Sequence, residues 1–315
     1  MLDFILLFMN PTKKKNTRAF DLLGNIAIVK FPKDCKQAEK KKFAEKLLKE
    51  QKSIKTVLEK QGKIKGRLRK IKTKYLTGEK TKEVLYKENA CVFRFNVDTT
   101  YFSPRLSNER KEIASMIKKG EDVLVMFAGV APFPIVIAKN SKAKRIVSNE
   151  INREANKYAK LNIELNKVKD KVEIIQGDIK KVAEKWKSCS KLPAHLCSQI
   201  NSNSINKKTA KSRAGSRFEA SDNRAKRANL PKFDVIVMPR PQLKDSFLEQ
   251  AFMLSKKTTR IYYYDFCKIN EKDLIVKKIK EEAKKFKKKI KILKVKPAGE
   301  IAPYKIRVRI DFKII

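Results

Sequence analysis

Alternating apolar and polar positions divide the chain into a front part of short strands and a longer part in which strands and helices alternate. In the front part, two short apolar runs flank Gly24 and Asn25, which predicts a hairpin. A lysine-rich amphipathic helix follows over roughly 36–50, and alternating residues over 84–98 predict antiparallel strands. Residues 20–98 are therefore expected to form a small α+β domain.

From about residue 99 the pattern becomes that of a parallel sheet. One apolar strand ends at Met126 and is followed by a turn of small residues, while the next two strands end in the acids Glu150 and Asp178. Strand, turn, helix and strand in this order are typical of a nucleoside-binding βαβ unit. Residues 99–315 are therefore predicted to form an α/β domain. Its last strand follows too short a crossover to be parallel, so we expect the sheet to finish with an antiparallel strand.

Two segments fit neither pattern. Residues 188–229 are rich in Ser, Asn, Lys and Arg and lack periodicity, which predicts a flexible basic insertion; an ordered surface subdomain is the alternative. Residues 1–19 join an apolar start to a basic linker. The apolar stretch is too short to span a bilayer and has an acid near its start, so it is expected to be a strand or a packing arm rather than a signal peptide.

The composition is strongly basic. The chain has 77 Lys and Arg against 34 Asp and Glu, a net charge of +43. Because such an excess repels itself, a polyanionic partner such as nucleic acid is favoured, and a proteome with high lysine usage is the alternative. The five cysteines lack C-x-x-C pairing and His195 is the single histidine, so a zinc site is not expected. We expect reduced thiols and a cytoplasmic location.

Candidate cofactor-binding residues follow the carboxyl ends of the predicted strands, where doubly wound sheets bind ligands. The turn Phe127-Ala128-Gly129 allows backbone amides to approach a ligand closely. Glu150 is placed to accept hydrogen bonds from ribose hydroxyls, and Asp178 to lie near an adenine amine. No Lys-Ser/Thr pair follows the turn, which disfavours nucleoside triphosphates. The combination predicts S-adenosyl-L-methionine, with an ordinary turn and solvated acids as the alternative.

One sequence block resembles a known family. Y-F-S-P-R-L-S-N-E-R over 101–110, followed by M-F-A-G-V-A-P-F over 126–133, is similar to the tRNA (guanine-37-N1)-methyltransferases of archaea and eukaryotes. F-D-L-L-G-N-I-A-I-V, N-I-E-L-N-K-V and Y-Y-Y-D-F extend the similarity. The resemblance implies a Rossmann-like class I methyltransferase sheet that uses S-adenosyl-L-methionine and binds the anticodon loop of tRNA. We also expect a monomer without membrane attachment. The family's separate N-terminal domain is expected to be missing, since the similarity begins near residue 20.

The resemblance also implies roles for individual residues. Guanine N1 must lose a proton before it attacks a methyl carbon, and negative charge then develops on O6. By resemblance, Glu109 is the general base and Arg69 stabilises O6, while Tyr101 and Arg105 shape the pocket. The cofactor-binding positions carried over are Arg110, Phe127, Ala128, Gly129, Glu150, Ile151, Asp178, Ile179 and Pro239. For Arg105 and Glu109, an i,i+4 ion pair at a helix start is the alternative.

Three positions depart from the family pattern. Val125 stands where an acid is frequent, Ala131 where a second glycine is usual, and Pro239 where an amide side chain is usual. A backbone carbonyl at Pro239 could replace that amide and alter the substrate scope. A wybutosine- or wyosine-pathway transferase acting at the same tRNA position therefore stays open, as does a non-catalytic tRNA-binding homologue. Glu109 argues against the aminocarboxypropyl transfer of the wybutosine pathway, which needs no base there.

Overall fold

The structure is a computed structural model that describes residues 20–189, 230–239 and 245–315. The predicted arm over 1–19 lies outside the described residues, as does nearly all of the predicted insertion over 188–229. Both therefore stay predictions.

The chain divides into two compact units. One comprises Met1–Tyr86 with Asn96–Asp98, and the other comprises Lys87–Phe95 with Thr99–Ile315. The predicted domain boundary after residue 98 stays a prediction. Each unit has its own sheet, and each is described separately below.

The first unit contains a four-stranded sheet and one helix. The elements are β1 Phe20–Leu23, β2 Ile26–Val29, α1 Gln37–Glu50, β3 Thr56–Lys65 and β4 Lys70–Gly78. The strand order is β1-β2-β3-β4, and only the central β2–β3 pair is parallel. The predicted hairpin at Gly24 is confirmed: its φ is +54°, and a Cβ there would lie 2.0 Å from the Leu85 carbonyl oxygen, so only glycine fits.

A two-stranded sheet follows along the chain. It consists of β5 Glu83–Glu88 and β6 Cys91–Asn96, as the alternation over 84–98 predicts. Asn89 and Ala90 connect the strands, and both have positive φ (48° and 57°). Tight two-residue hairpin turns use this conformation because its twist matches that of the strands.

The second unit is built on a seven-stranded sheet. Its strands are β7 Asp122–Met126, β8 Arg145–Glu150, β9 Val172–Gln176, β10 Phe233–Met238, β11 Ser255–Lys268, β12 Ile290–Ala302 and β13 Lys305–Ile314. The helices are α2 Ser107–Ser115, α3 Pro132–Asn140, α4 Arg153–Leu165, α5 Ile179–Cys189, α6 Leu248–Met253 and α7 Lys272–Lys285.

The order of these strands is β12-β13-β11-β10-β7-β8-β9. Strands β9, β8, β7, β10 and β11 pair in parallel, and β13 is antiparallel to both β11 and β12. The chain moves outward from β7 to β9 and then returns to place β10 on the other side of β7. This reversal makes the carboxyl ends of β7 and β10 a topological switch point. The predicted α/β Rossmann-like class and its antiparallel finish are confirmed.

Strand β12 is an element that the sequence reading missed. The lysine-rich sequence predicts one helix over 271–289, but α7 ends at Lys285 and a strand begins at Ile290. In I-K-I-L-K-V-K the lysines point mostly to solvent at a sheet edge, where charged side chains discourage pairing with other chains. A run dense in lysine resembles an exposed helix face as much as an edge strand, which explains the error.

Two asparagines act as a strand partner for β6: Asn162 in α4 and Asn166 directly after its C-terminal end. Asn162 accepts a hydrogen bond from the Arg94 N–H (2.7 Å) and donates one to the Arg94 carbonyl (3.1 Å). Asn166 does the same for Val92, at 2.9 and 2.7 Å. Four residues of helix rise about 6 Å and two residues of strand about 6.6 Å, so an i,i+4 pair matches alternate strand residues. The N-I-E-L-N motif therefore closes one edge of β6.

We predict that Asn166→Ala lowers the stability of this unit by about 1–3 kcal/mol, because it removes both partners of the Val92 backbone. The expected fall in thermal midpoint is about 3–8 °C. Glu164→Ala, an exposed site on the same helix, is the matched control and should change little. Equal midpoints for the two variants would contradict the proposed pairing role of Asn166.

Candidate active site

A turn with alternating left-handed residues follows β7. Phe127, Gly129 and Ala131 have φ values of 58°, 60° and 66°, and α3 begins directly afterwards. The Ala128 N–H donates to the Asn149 carbonyl at 2.9 Å, which holds the turn against the end of β8. A Cβ at Gly129 would lie 3.4 Å from the Tyr101 carbonyl oxygen. The backbone at Tyr101 therefore runs beside the turn.

Glu150 ties the end of β8 to this turn. Its Oε2 accepts a hydrogen bond from the Gly129 N–H (2.8 Å), and its Oε1 accepts one from the Asn152 N–H (2.7 Å). The side chain is buried. Because a carboxylate oxygen can accept two hydrogen bonds, each oxygen keeps capacity for one more. Asn152 in turn caps α4 through the Glu154 N–H and donates to the Thr99 carbonyl.

Asp178 lies at the corresponding end of β9. Its Oδ1 accepts a hydrogen bond from the Lys180 N–H at 3.1 Å, at the start of α5. Ile179 is buried, and Ile151 is half-buried. Asn149 links the two strand ends by donating to the Ile175 and Gly177 carbonyls, at 3.0 and 3.1 Å. The structure thus brings the turn at Gly129 and both predicted acids to adjacent strand ends. The sequence reading missed the roles of Asn149 and Asn152, although both flank Glu150 closely.

The Y-F-S-P-R-L-S-N-E-R block forms the entry to α2. Tyr101 is half-buried, a short 3₁₀ turn covers Pro104–Leu106, and Arg105 on that turn is exposed. Glu109 and Arg110 follow in the first turns of the helix, and both are buried. One short block therefore presents residues to solvent and to the interior of the second unit.

Arg110 is engaged by the protein itself. Its guanidinium pairs with both carboxylate oxygens of Glu88, with Nη2 2.6 Å from Oε2, and donates to the Ser103 carbonyl at 3.1 Å. The group also lies over the rings of Phe102 (5.1 Å) and Phe133 (5.8 Å). These contacts hold α2 against the end of β5. The cofactor contact assigned to Arg110 by resemblance stays a prediction.

Glu109 is held by three side chains from distant parts of the sequence. Its Oε2 accepts hydrogen bonds from Tyr264 Oη (2.9 Å) and Arg309 Nη1 (2.7 Å). Its Oε1 lies 2.9 Å from Lys296 Nζ. Burial and the adjacent Glu109 carboxylate raise the pKa of Tyr264 well above its ordinary value, so its hydroxyl acts as a donor.

Strand register places this carboxylate at the same edge of the sheet as Glu150. The last parallel pairs are Tyr263 with Met238, and Met126 with Asn149. One residue further along each strand, the register therefore gives a row across β11, β10, β7 and β8. It consists of Tyr264, Pro239, Phe127 and Glu150. Pro239 is half-buried at the end of β10, while Arg240 and Pro241 lie outside the described residues.

A charged cluster surrounds Glu109. Arg309 also donates to Glu112 Oε1 (2.7 Å) and, through Nε and Nη2, to Asp311 (2.8 and 3.0 Å). Lys296 pairs with Glu112 as well. Burial favours a higher pKa for Glu112, but hydrogen bonds from Arg309 and Lys296 outweigh it and lower the pKa to about 2. For Asp311, burial outweighs Arg309 and raises the pKa.

The sequence reading identified Glu109 alone of this charged cluster. The three residues that surround Glu109 lie on three different strands: Tyr264, Lys296 and Arg309. In the sequence, Tyr264 is 155 residues from Glu109 and Arg309 is 200 residues from it. No local spacing connects such positions. A charged residue in the apolar run I-R-V-R-I-D-F was the available signal, because a buried strand admits a cation only where it is paired.

Arg69, the predicted O6 stabiliser, belongs to the first unit. It lies in the turn between β3 and β4 with a φ of +53°. Its assigned role stays a prediction. Within the described ranges, no cluster of His, Cys, Asp and Glu is suited to hold a metal ion. The helices of the same ranges are all too short or too polar to cross a bilayer.

We predict that the stabilisation contributed by Glu112 depends on acid pH. Folding lowers the pKa of Glu112 from 4.5 to about 2, so the folded chain binds this proton less readily than the unfolded chain. The contribution is complete above about pH 4.5 and is lost as the pH falls toward 2. The gap in thermal midpoint between wild type and Glu112→Gln should therefore narrow across this window. The exposed Glu164→Gln is the control, and a gap independent of pH would contradict the assignment.

Comparisons with known proteins identify the family of the chain. The sequence model of the TRM5/TYW2 methyltransferase domain matches residues 84–192, and that of the TYW2 N-terminal domain matches residues 10–81. The chain is 36% identical over 311 residues to the tRNA (guanine(37)-N(1))/4-demethylwyosine(37)-methyltransferase Taw22 of Nanoarchaeum equitans, covering 94% of this chain and 100% of that protein.

A second relative is the tRNA (guanine(37)-N(1))-methyltransferase Trm5b of Pyrococcus abyssi, 30% identical over 297 residues, which cover 94% of this chain and 74% of Trm5b. The crystal structure of wild-type Trm5b from Pyrococcus abyssi has a TM-score of 0.70 at 30% identity, again with 94% of this chain and 74% of the other covered. Sequence and fold lead to one assignment: the chain belongs to the TRM5/TYW2 methyltransferase family.

Proposed function

We propose that this chain is a tRNA (guanine(37)-N(1))-methyltransferase, in which Glu109 removes the N1 proton of the guanosine 3′ to the anticodon. One observation carries the proposal. The row of Tyr264, Pro239, Phe127 and Glu150 brings the Glu109 carboxylate and the turn after β7 to the same edge of one sheet. A base and a nucleoside-binding edge are the two parts that N1 methylation requires.

S-adenosyl-L-methionine suits the residues at this edge. Gly129 has no side chain in the turn, and both oxygens of Glu150 retain an acceptor position for ribose hydroxyls. Asp178 provides a further acceptor, with Ile151 and Ile179 beside the two acids. When bound, this cofactor supplies a methyl group on a positively charged sulfur. The chain's own part is to bind and orient, and Glu150 and Asp178 are the groups proposed to do so.

Glu109 suits the role of general base. Its carboxylate is 6% exposed and fixed by donors, so it does not have to be ordered when the substrate binds. A positioned base of this kind contributes about 10²–10⁴ in rate. We propose, from the family resemblance, that Arg69 stabilises O6 and that Tyr101 and Arg105 line the guanine pocket.

The proposed partner is tRNA, bound at its anticodon loop. The net charge of +43 supports this, because lysine and arginine neutralise phosphates and release counterions. Binding should consequently weaken steeply as salt rises. A monomer acting in the cytoplasm completes the proposal.

We predict that Glu109→Gln lowers single-turnover methyl transfer to guanosine 37 by about 10²- to 10⁴-fold, because the amide does not accept the N1 proton. Transfer is measured with methyl-labelled S-adenosyl-L-methionine, and a tRNA with adenosine at position 37 provides the background. Glu164→Gln, the same change at an exposed site, should keep the wild-type rate. A fully active Glu109→Gln would remove Glu109 from the mechanism.

A second acceptor is proposed on the name of the relative from Nanoarchaeum equitans, which includes 4-demethylwyosine 37 as well as guanine 37. Pro239, where the family usually has an amide, is consistent with a wider choice of base. We expect methyl label to enter tRNA carrying either base at position 37, and carboxyl label to enter neither. Transfer to guanosine alone would limit the chain to the first activity, and carboxyl-label transfer would indicate an aminocarboxypropyl transferase.

A further inference from the structure

An arginine is buried in the second unit's sheet, on the strand next to the edge strand β12. Arg309 lies in the middle of β13, between β11 and β12, and is 0% exposed. Its strand neighbours Val308 and Ile310 are equally buried. Its guanidinium donates hydrogen bonds to three carboxylates, those of Glu109, Glu112 and Asp311.

Sheet stability alone does not account for this arginine. Transfer of a guanidinium out of water costs several kcal/mol, and apolar residues of similar volume usually serve a sheet as well as a buried ion pair does. Three carboxylates face three cations, since Lys294 lies 3.8 Å from Glu112 in addition to Lys296 and Arg309, but Arg309 alone of these cations is fully buried. Such a group needs a reason beyond packing, and one of its partners is the proposed base.

The donors give the two oxygens of Glu109 different surroundings. Oε2 accepts from both Tyr264 and Arg309, which are fully buried, so its acceptor positions are occupied from the interior. Oε1 lies beside Lys296, whose side chain is 23% exposed. The less enclosed oxygen is therefore Oε1.

We propose that Arg309 is a positioning residue for the proposed methyl transfer, which fixes Glu109 through Oε2 so that Oε1 receives the guanine N1 proton. The inference rests on the proposed function, since it requires Glu109 to be the base. In the step, the N1–H bond breaks, its electron pair stays on guanine and the proton moves to Oε1. The N1 electron pair forms the bond to the methyl carbon, and the pair of the broken carbon–sulfur bond remains on sulfur.

The same contact has an electrostatic consequence. Arg309 is charged at every working pH and holds its guanidinium 2.7 Å from Glu109 Oε2, so its loss removes a positive charge beside the proposed base. The charged and titratable groups facing Glu109 are Glu112 from α2, Tyr264 from β11, Lys296 from β12, and Arg309 and Asp311 from β13. Loss of the guanidinium leaves Lys296 as the single cation among them. The acid limb of the rate–pH profile should then move to higher pH.

The test compares variants at Arg309 with a matched arginine elsewhere in the same sheet. Single-turnover rates are measured at saturating tRNA and S-adenosyl-L-methionine from about pH 5.5 to about pH 9. Arg309→Gln should lower the rate about 10- to 100-fold and move the acid limb upward, with cofactor affinity unchanged. Arg309→Lys keeps the positive charge, so the acid limb should return to its wild-type position. Only part of the rate should return, because lysine lacks the planar guanidinium that donates several hydrogen bonds at once. Arg260→Gln, which breaks the ion pair with Glu121, should leave rate and profile unchanged.

Tyr264→Phe is the second variant, since Arg309→Gln leaves buried carboxylates unbalanced and can prevent folding. It removes one donor to Oε2 without a change in charge, and we expect a rate about 3- to 10-fold lower with a smaller upward shift of the acid limb. A wild-type rate and profile in folded Tyr264→Phe or Arg309→Gln overturns the inference. So does a lower rate with an unmoved acid limb in Arg309→Gln, which indicates a structural role only. If Glu109→Gln itself is active, the proposed base fails, and that result is independent of these variants.

Discussion

A guanidinium buried inside a sheet must be surrounded by acceptors, and this requirement organises one end of the second unit. Arg309 enters the interior because β13 inserts between β11 and β12, where both of its edges are paired. Its charge is compensated by Asp311 on the same strand and by Glu109 and Glu112 on α2. The helix that carries the family block is thereby attached to the last strands of the chain. Removal of one member leaves others uncompensated, so the cluster acts as a unit.

At the carboxyl ends of β7, β8 and β9, neutral amides and one acid hold the strand ends and turns together. Glu150 receives two backbone N–H groups, Asn149 links the ends of β8 and β9, and Asn162 reaches the Val130 carbonyl at 3.1 Å while it closes β6. Each buried polar side chain thus satisfies backbone groups that the strand ends and turns leave open. The proposed nucleoside-binding edge is thus held by contacts within the protein, which favours efficient positioning of a ligand.

Family membership and local geometry constrain different parts of the function. Membership in the TRM5/TYW2 family indicates methyl transfer to tRNA, while the row of residues across the sheet is the basis for the catalytic roles proposed above. The departure at Pro239 lies in that same row, directly between Tyr264 and Phe127. Proline lacks both a side-chain amide and a backbone N–H, so this position supplies no hydrogen-bond donor.

The sequence by itself determined the elements whose signals are local. Apolar runs, the turn at Gly24 and the strand-end acids Glu150 and Asp178 predicted the α/β class and the nucleoside-binding edge, because period and turn chemistry operate over a few residues. The Y-F-S-P-R block identified the family and Glu109. Tertiary structure alone decided that Arg309, Tyr264 and Lys296 surround that glutamate, and that Arg110 is engaged by Glu88. These contacts join residues on separate strands through register and strand order, and neither is encoded in the spacing of residues along the chain.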